Sequence, residues 1–456
     1  MRYFTSGLLL FCFALIAVSA HAQSWGVVGI LGFSGAEADY ESMALDTSGT
    51  PYVVYQDYAN SFKATVKKFN GSSWVTVGIA GFSGDVANFT SIAVNRSGTP
   101  YVVFQDGANS QRATVMKYNG INWIPVGTPG ISPGIVGYTR IAIDTGGLPY
   151  IAYQDDSFPF GPGPLTVMKF DGVSWLHVGS PSFTSGVQSL DLAISGRTPY
   201  VVYRDSSSGL AATVVKFNGS SWVTVGIPGF SAGGVAGVSI AMHVDTPCVT
   251  YTDNANSQKA TAMKYNGSGW VNIGTPGFSA GIADYTTIAV DASGTPFVAY
   301  SDGNTVNHYA TVMKFNGTTW VNVGSPGFSG TLSNFTNIGL DKLGTPYVCY
   351  QGFTGGQKAS VMKLLPPSTG LSLTMNTAAT LNISPNPCHG VFTIKVAAAQ
   401  NEDATVVITN MLGRKVTELT VQTNKETDVL LHVPPGMYFI SAVIANERLG
   451  AKIVVE

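Results

Sequence analysis

"KFNGSSWVTVGI" occupies Lys68–Ile79 and returns letter for letter at Lys216–Ile227. An identical dozen in sequence of ordinary complexity is either a duplicated motif or one tooth of a longer repeat. The tryptophans decide the matter. They stand at 25, 74, 123, 175, 222, 270 and 320, separated by 49, 49, 52, 47, 48 and 50 residues, and the chain has no others. An independent marker keeps the same beat: a proline opens an apolar run at Pro51, Pro100, Pro149, Pro199, Pro247, Pro296 and Pro346, as in "TPYVVYQD". A fixed period of this length marks supersecondary units that bury their faces against one another.

Each unit holds four strand-like runs, a to d. Strand a is read as "SIAVN" (Ser91–Asn95) or "TIAVD" (Thr287–Asp291), strand b as "PYVVF" (Pro100–Phe104), strand c as "ATVMKY" (Ala113–Tyr118) and strand d as "WVTVG" (Trp74–Gly78). Between c and d sits Asn-Gly, or Asp-Gly at Asp171–Gly172, residues that tolerate positive φ in tight hairpins. Seven a, b and c strands follow Ser42 but only six d strands, and the missing one is "WGVVG" (Trp25–Gly29) ahead of the first a strand. The expectation is an all-β chain: a seven-bladed β-propeller of four-stranded antiparallel blades, its N-terminal strand completing the last blade, followed by a small C-terminal β-sandwich.

Residues shared by every unit are first of all structural. The tryptophans are expected to pack between blades, with a sugar-stacking ring as the alternative. Lys68, Lys117, Lys169, Lys216, Lys264, Lys314 and Lys363, one per c strand, read as a solvated edge pairing loosely with Asp46, Asp144, Asp291 and Asp341. Asp57, Asp106, Asp155, Asp205, Asp253 and Asp302, closing the b strands, read as turn caps rather than a calcium ring. Asn70, Asn218 and Asn316 match the glycosylation acceptor pattern, but the turn already explains them.

Composition bounds the rest. The 456 residues are 45% apolar and 11% charged, include 53 glycines and carry a net charge of -2, which offers no basic field for nucleic acid. Arg2, the apolar run Leu8–Val18 and the Ala20-x-Ala22 site read as a secretory signal peptide over residues 1–22. That run is too short for about 30 Å of hydrocarbon, so no transmembrane segment is expected in the mature chain. Cys248, Cys349 and Cys388 then remain, an odd set without ligand spacing; the first two sit inside apolar strand patterns and read as buried hydrophobes. The propeller is assigned to 23–365, a Pro-, Ser- and Thr-rich linker to 366–380, and alternating strands with turns to 381–456.

The last segment resembles the type A C-terminal sorting domain of the type IX secretion system of Bacteroidetes. The resemblance rests on Pro385, Asn386, Pro387 and Gly390 with Phe392 and Ile394, Gly413 with Arg414 and Val416, Pro435, Gly436 and Tyr438, and Lys452–Val455. It implies export through the periplasm and across the outer membrane, with the type IX machinery as partner and the product released or attached at the cell surface.

No catalytic residue, metal site or cofactor is assigned. Histidines at 21, 177, 243, 308, 389 and 432 form no ligand pair, and neither a phosphate loop nor a nucleophile elbow is visible. The informative residues are those that break the repeat on the face carrying the d-to-a and b-to-c loops. These are Arg140 and Asp191 at the start of strand a, Arg204 at the end of strand b, Arg112 in a b-to-c connection, and Asp156, Phe158 and Phe160 in the insertion Asp156–Pro164. One reading makes this sector a ligand groove in which Arg140 and Arg204 fix an acidic or hydroxylated group. The other pairs Arg140 with Asp191 across neighbouring blades and treats the insertion as loop variation. The functions that follow are a secreted binding or adhesion propeller for a glycan or protein ligand, a sialidase-like glycoside hydrolase, or a structural surface component; the first is preferred, because nothing in the sequence supplies a nucleophile pair.

Overall fold

The computed structural model describes residues 23–157, 162–305, 308–353, 355–366, 380–398, 400–411, 413–444 and 447–456. The signal peptide, Phe158, Phe160 and nearly all of the linker lie outside these residues. The chain divides into two compact units, at Ser368/Thr369.

The first unit contains seven four-stranded antiparallel sheets. In six of them the strands follow chain order; the first runs through Ala38–Leu45, Pro51–Asp57, Lys63–Phe69 and Trp74–Thr76. The seventh takes its outer strand from the other end of the unit, with Trp25–Val27 paired to Lys358–Leu364 through Trp25↔Leu364 and Val27↔Met362. The a strands of successive sheets are neighbours, and that of the seventh lies beside that of the first. At this last seam Gln351 Nε2 donates to Ala38 O at 2.7 Å, and Tyr55 and Val53 share a core with Tyr347 and Cys349. This is a propeller: each sheet buries both faces against its neighbours, and the a strands surround a common axis.

Strand b is apolar up to its closing Gln-Asp pair and is buried along its length, as in Pro51–Asp57, because it is the second strand of a sheet covered on both faces. Strand d is shorter than the five residues read from sequence, three in each sheet, because Gly78 and its counterparts adopt positive φ and turn the chain away. Strand a starts four residues earlier than read, at Ala87 rather than Ser91 in the second sheet. A β-bulge near its beginning breaks the alternation that the sequence pattern depends on.

The tryptophans fasten the outer edge. Each indole Nε1 donates to a backbone carbonyl of the preceding sheet: Trp74 to Val28, Trp123 to Val77, Trp175 to Val126, Trp222 to Val178, Trp270 to Val225, Trp320 to Ile273 and Trp25 to Val323, all at 2.6–2.8 Å. Six also stack on a phenylalanine, Phe82 on Trp123 being typical at 4.2 Å between centroids. With both the ring face and the N–H committed, they are packing residues.

The lysine rim differs from the expectation. Lys68, Lys169, Lys216, Lys314 and Lys363 lie 5.1–6.0 Å from the ring centroids of strand b aromatics rather than against the aspartates. The aspartates are already engaged: Asp46 Oδ1 accepts from Ser48 N and Thr50 N, and Asp144, Asp291 and Asp341 cap the same a-to-b turn. The b strand aspartates are caps too, Asp57 accepting from Ala59 N, Asn60 Nδ2 and Thr65 Oγ1.

The second unit is a sandwich of a three-stranded and a four-stranded sheet. Its core is built on Phe392, Ile394, Val406, Ile408, Ile440 and Ile453. The sorting residues shape its end. Asn386 Nδ2 donates to Lys452 O and its Oδ1 accepts from Val454 N, while Tyr438 donates to Pro434 O. Gly390 has φ +83, and a Cβ there would stand 2.9 Å from Leu431 O, so the position requires glycine.

Candidate functional site

The bulge in strand a is what builds a site. It carries Tyr40, Phe89, Tyr138, Tyr285 and Phe335 with φ between 48° and 54°, a left-handed conformation costing about 1–2 kcal/mol for a residue with a Cβ. Because the a strands surround the axis, these rings meet across sheet boundaries. Centroids are 5.3 Å apart for Tyr285–Phe335, 5.9 Å for Phe335–Tyr40, 5.0 Å for Tyr40–Phe89 and 5.3 Å for Phe89–Tyr138. Five sheets thus contribute one continuous aromatic arc at the end where the a strands begin. Tyr138 and Tyr285 are 37% and 42% exposed. Burial and the carboxylates of Asp284 and Asp39 raise the phenol pKa of Tyr285, so it stays a neutral donor.

The residue before four of the five rings supplies a polar rim, Asp39, Asn88, Asp284 and Asn334, with Gln188 at the same position in the fourth sheet and Gly137 before Tyr138. The glutamines closing strand b tie it together. Asn334 Nδ2 donates to Gln351 Oε1, Gln351 Nε2 to Asp39 Oδ1, Gln56 Nε2 to Asn88 Oδ1 and Asn88 Nδ2 to Gln105 Oε1. Tyr58 donates to Asp39 Oδ2, and that bond pushes its pKa up to about 12.

The residue after three of the rings fixes the backbone. Thr90, Thr139 and Thr336 donate to the carbonyls of Tyr40, Phe89 and Tyr285 in the preceding sheet. Glu41 takes this place in the first sheet, buried with both carboxylate oxygens unpartnered, so its pKa is held well above the ordinary value by desolvation. One residue further on, Ser42, Ser91, Ser239 and Asn337 accept a backbone N–H from the next sheet, at 3.2–3.4 Å. Arg140 and Asp191 occupy that same level in the third and fourth sheets.

Their chemistry is therefore mutual. Arg140 Nε lies 3.6 Å from Asp191 Oδ1, and Asp191 Oδ2 accepts from Ser239 Oγ and Ile240 N. Burial still leaves the Asp191 carboxyl somewhat raised, against the pull of Arg140 and these bonds. The pair is a latch in the wall between sheets, the contact across neighbouring blades that the second sequence reading expected of these two residues. Arg204 is elsewhere, at the rim, where its Nη1 donates to Gln188 Oε1 at 2.7 Å and its buried Nε has no partner. Asp156 reaches the third sheet's rim, where a Cβ on Gly137 would meet Asp156 Oδ2 at 2.7 Å and Gln154 Oε1 at 3.7 Å. Burial and Asp155 raise the Asp156 carboxyl, and Gln154 Oε1 is buried without a donor. Arg112 is exposed at the start of its c strand, its stem against Gly130 and its backbone paired with Asp106. The structure thus brings Arg204 and Asp156 to the axial rim and sets Arg140 and Asp191 below it.

The aromatic arc was missed in the sequence. Its signal was present, as Tyr or Phe stands two residues before the Ser-like position in "ADYES", "ANFTS", "VGYTR", "ADYTT" and "SNFTN". The opposite end of the propeller carries grooves between sheets, one of about 630 Å³ lined by Asp46, Tyr52, Lys68, Asn70, Tyr347 and Lys363. There Asp46 caps a turn and Lys68 lies over Tyr52, so the charged groups are already used. Among the described residues no three His, Cys, Asp or Glu side chains cluster as a metal site, and no helix is long and apolar enough to cross a membrane.

Residues 382–456 match the secretion system C-terminal sorting domain. The chain thus ends in a type IX sorting domain, the mark of a protein that is exported and either secreted or attached at the cell surface. No curated protein sequence matches it. Among solved structures it is similar to the Aleuria aurantia lectin, described as a six-bladed β-propeller with a novel fucose recognition mode, at 15% identity and TM-score 0.44 over 65% of this chain and 99% of that one. It is also similar to AofleA from Arthrobotrys oligospora, at 11% identity and TM-score 0.42 over 67% and 91%. A protein of unknown function from Dyadobacter fermentans is similar at 10% identity and TM-score 0.46 over 75% and 99%. None of these likenesses assigns a residue.

Proposed function

We propose that the protein is an exported binding or adhesion propeller that holds a glycan against the aromatic arc at its axis. The observation that carries this reading is the set of five aromatics kept in left-handed backbone around that axis, two of them well exposed. Backbone strain of this kind persists where the surroundings enforce it and gathers at binding sites. A sugar offers C–H faces to stack on the rings and hydroxyls for the carboxylates and amides of Asp39, Asn88, Asp156, Asp284 and Asn334.

Tyr138→Gly and Tyr285→Gly separate binding from packing, because glycine suits the φ that tyrosine strains to adopt. The expected result is an unchanged or slightly raised denaturation midpoint together with binding to a glycan array weakened about tenfold, or about 1.4 kcal/mol. Undiminished glycan binding by both variants would remove the reading.

A further inference from the structure

Resting on the axial reading, we infer that the glycan is an acidic one, whose carboxylate meets Arg204 in the gap that the aromatic arc leaves at the fourth and fifth sheets. There the ring position is occupied by Ser189 and Gly237. Gly237 keeps the left-handed backbone of its counterparts, with φ 52, so the missing ring is not a consequence of a different bulge. A Cβ built on it would meet nothing nearer than 3.9 Å, where Thr252 Oγ1 and Thr286 Oγ1 lie. The space is left open.

Arg204 stands at the strand b position next to this space, with one nitrogen of its guanidinium on Gln188 of its own sheet. Its counterparts Gln56, Gln105 and Gln351 donate across the seam to the first residues of the following a strand, Ala87, Val136 and Ala38. In the fourth sheet the same position looks toward the start of the fifth, where Gly237 stands. Every nearby carboxylate is engaged: Asp191 with Arg140 and Ser239, Asp205 with Ser207, Ser208 and Thr213, and Asp253 with Ala255, Asn256 and Thr261. The guanidinium therefore has no acidic partner among the described residues, and its buried Nε is unsatisfied. Thr286 adds an independent sign. The threonines at the same position in the second, third and seventh sheets, Thr90, Thr139 and Thr336, donate to the preceding sheet's bulge carbonyl, whereas its own buried hydroxyl, facing Gly237, is without a partner. A planar guanidinium on the fourth sheet and an unused hydroxyl on the sixth, at either side of the Gly237 gap and with Tyr138 and Tyr285 on the adjoining sheets, match a sugar carboxylate with a neighbouring hydroxyl.

The test is binding of the mature full-length protein to an array of uronate- and sialate-bearing oligosaccharides beside their neutral or methyl-esterified counterparts, at low and at about 0.5 M salt. Arg204→Gln installs the residue found at this position in sheets one, two, three and seven, so the fold is retained. Expected is at least a tenfold preference for carboxylated over esterified glycans, lost in Arg204→Gln, partly kept in Arg204→Lys, and reduced by salt. Equal binding of acidic and neutral glycans by the wild type, or an equal loss of both in Arg204→Gln, overturns the Arg204 assignment while leaving the aromatic reading standing. Absence of binding to any glycan overturns both.

Discussion

Glu41 is the sharpest departure from the repeat, a carboxyl where three other sheets place a threonine that donates to a carbonyl. It is buried beside Cys349, whose thiol is itself pushed up by burial and by the Glu41 charge. A carboxyl pKa raised on folding means that the folded chain holds a proton the unfolded chain releases above about pH 4.5. This contribution is complete below that pH and is lost progressively as pH rises toward the folded value. Glu41→Gln, neutral and of equal shape, is expected to leave the thermal midpoint near pH 4 almost unchanged and to raise it by a few degrees at pH 8, corresponding to about 1–3 kcal/mol. Equal shifts at the two pH values would show that proton uptake is not the cause. The sequence marks Glu41 as unusual only after the a strands are aligned upstream of Ser42, and it gives no hint of burial, which comes from the seventh sheet packing on the first.

At the scale of the element, strands b and c and the Asn-Gly hairpins could be read because alternation and turn chemistry both point to them. Strand a could be read only from Ser42 and its counterparts onward. The bulge places two residues against one, so the pattern breaks just where the aromatics begin, and no residue preference announces a left-handed tyrosine. The outer edge is the opposite case, since one tryptophan per unit signalled its own role. Trp123→Phe keeps the stack on Phe82 but strands the carbonyl of Val77; a loss of about 1–3 kcal/mol in chemical denaturation is expected, with glycan binding unaltered, because this edge is remote from the axis. Weakened binding in that variant would mean that the outer edge and the arc are coupled. In the tail the decisive element is the tight turn at Gly390. Gly390→Val forces a Cβ against Leu431 O in a left-handed backbone, and the expected outcome is failure of surface display or release, measured as protein retained inside the cell envelope. Normal export of that variant would show that the turn is not part of what the machinery reads.

For the whole molecule the strand count sufficed to say which segments share a sheet. It could not say which residues meet at the axis, because those contacts join sheets whose sequences lie about fifty residues or more apart, as Tyr40 with Phe335. The N-terminal strand is where the counting argument can be tested as a physical one. Trp25–Val27 satisfies the edge of Lys358–Leu364, Leu365 N donates to Ser24 O, Val28 O receives the Trp74 indole, and Trp25 in turn donates to Val323. Removing Ser24–Gly29 from the mature protein therefore exposes an unpaired strand edge and unfastens the seams on either side of the seventh sheet. A large drop in the denaturation midpoint and concentration-dependent association through the open edge are expected. In the other six sheets, four residues of the Asn-Gly type join strand c to strand d, as Asn70–Ser73 do. Relocating Trp25–Gly29 behind Leu364 through the same four-residue turn gives the seventh sheet the connectivity and register of its neighbours, and the midpoint should return. If the deletion leaves the midpoint in place, or the relocated strand fails to restore it, the seventh sheet is held by something other than the strand the sequence assigns to it.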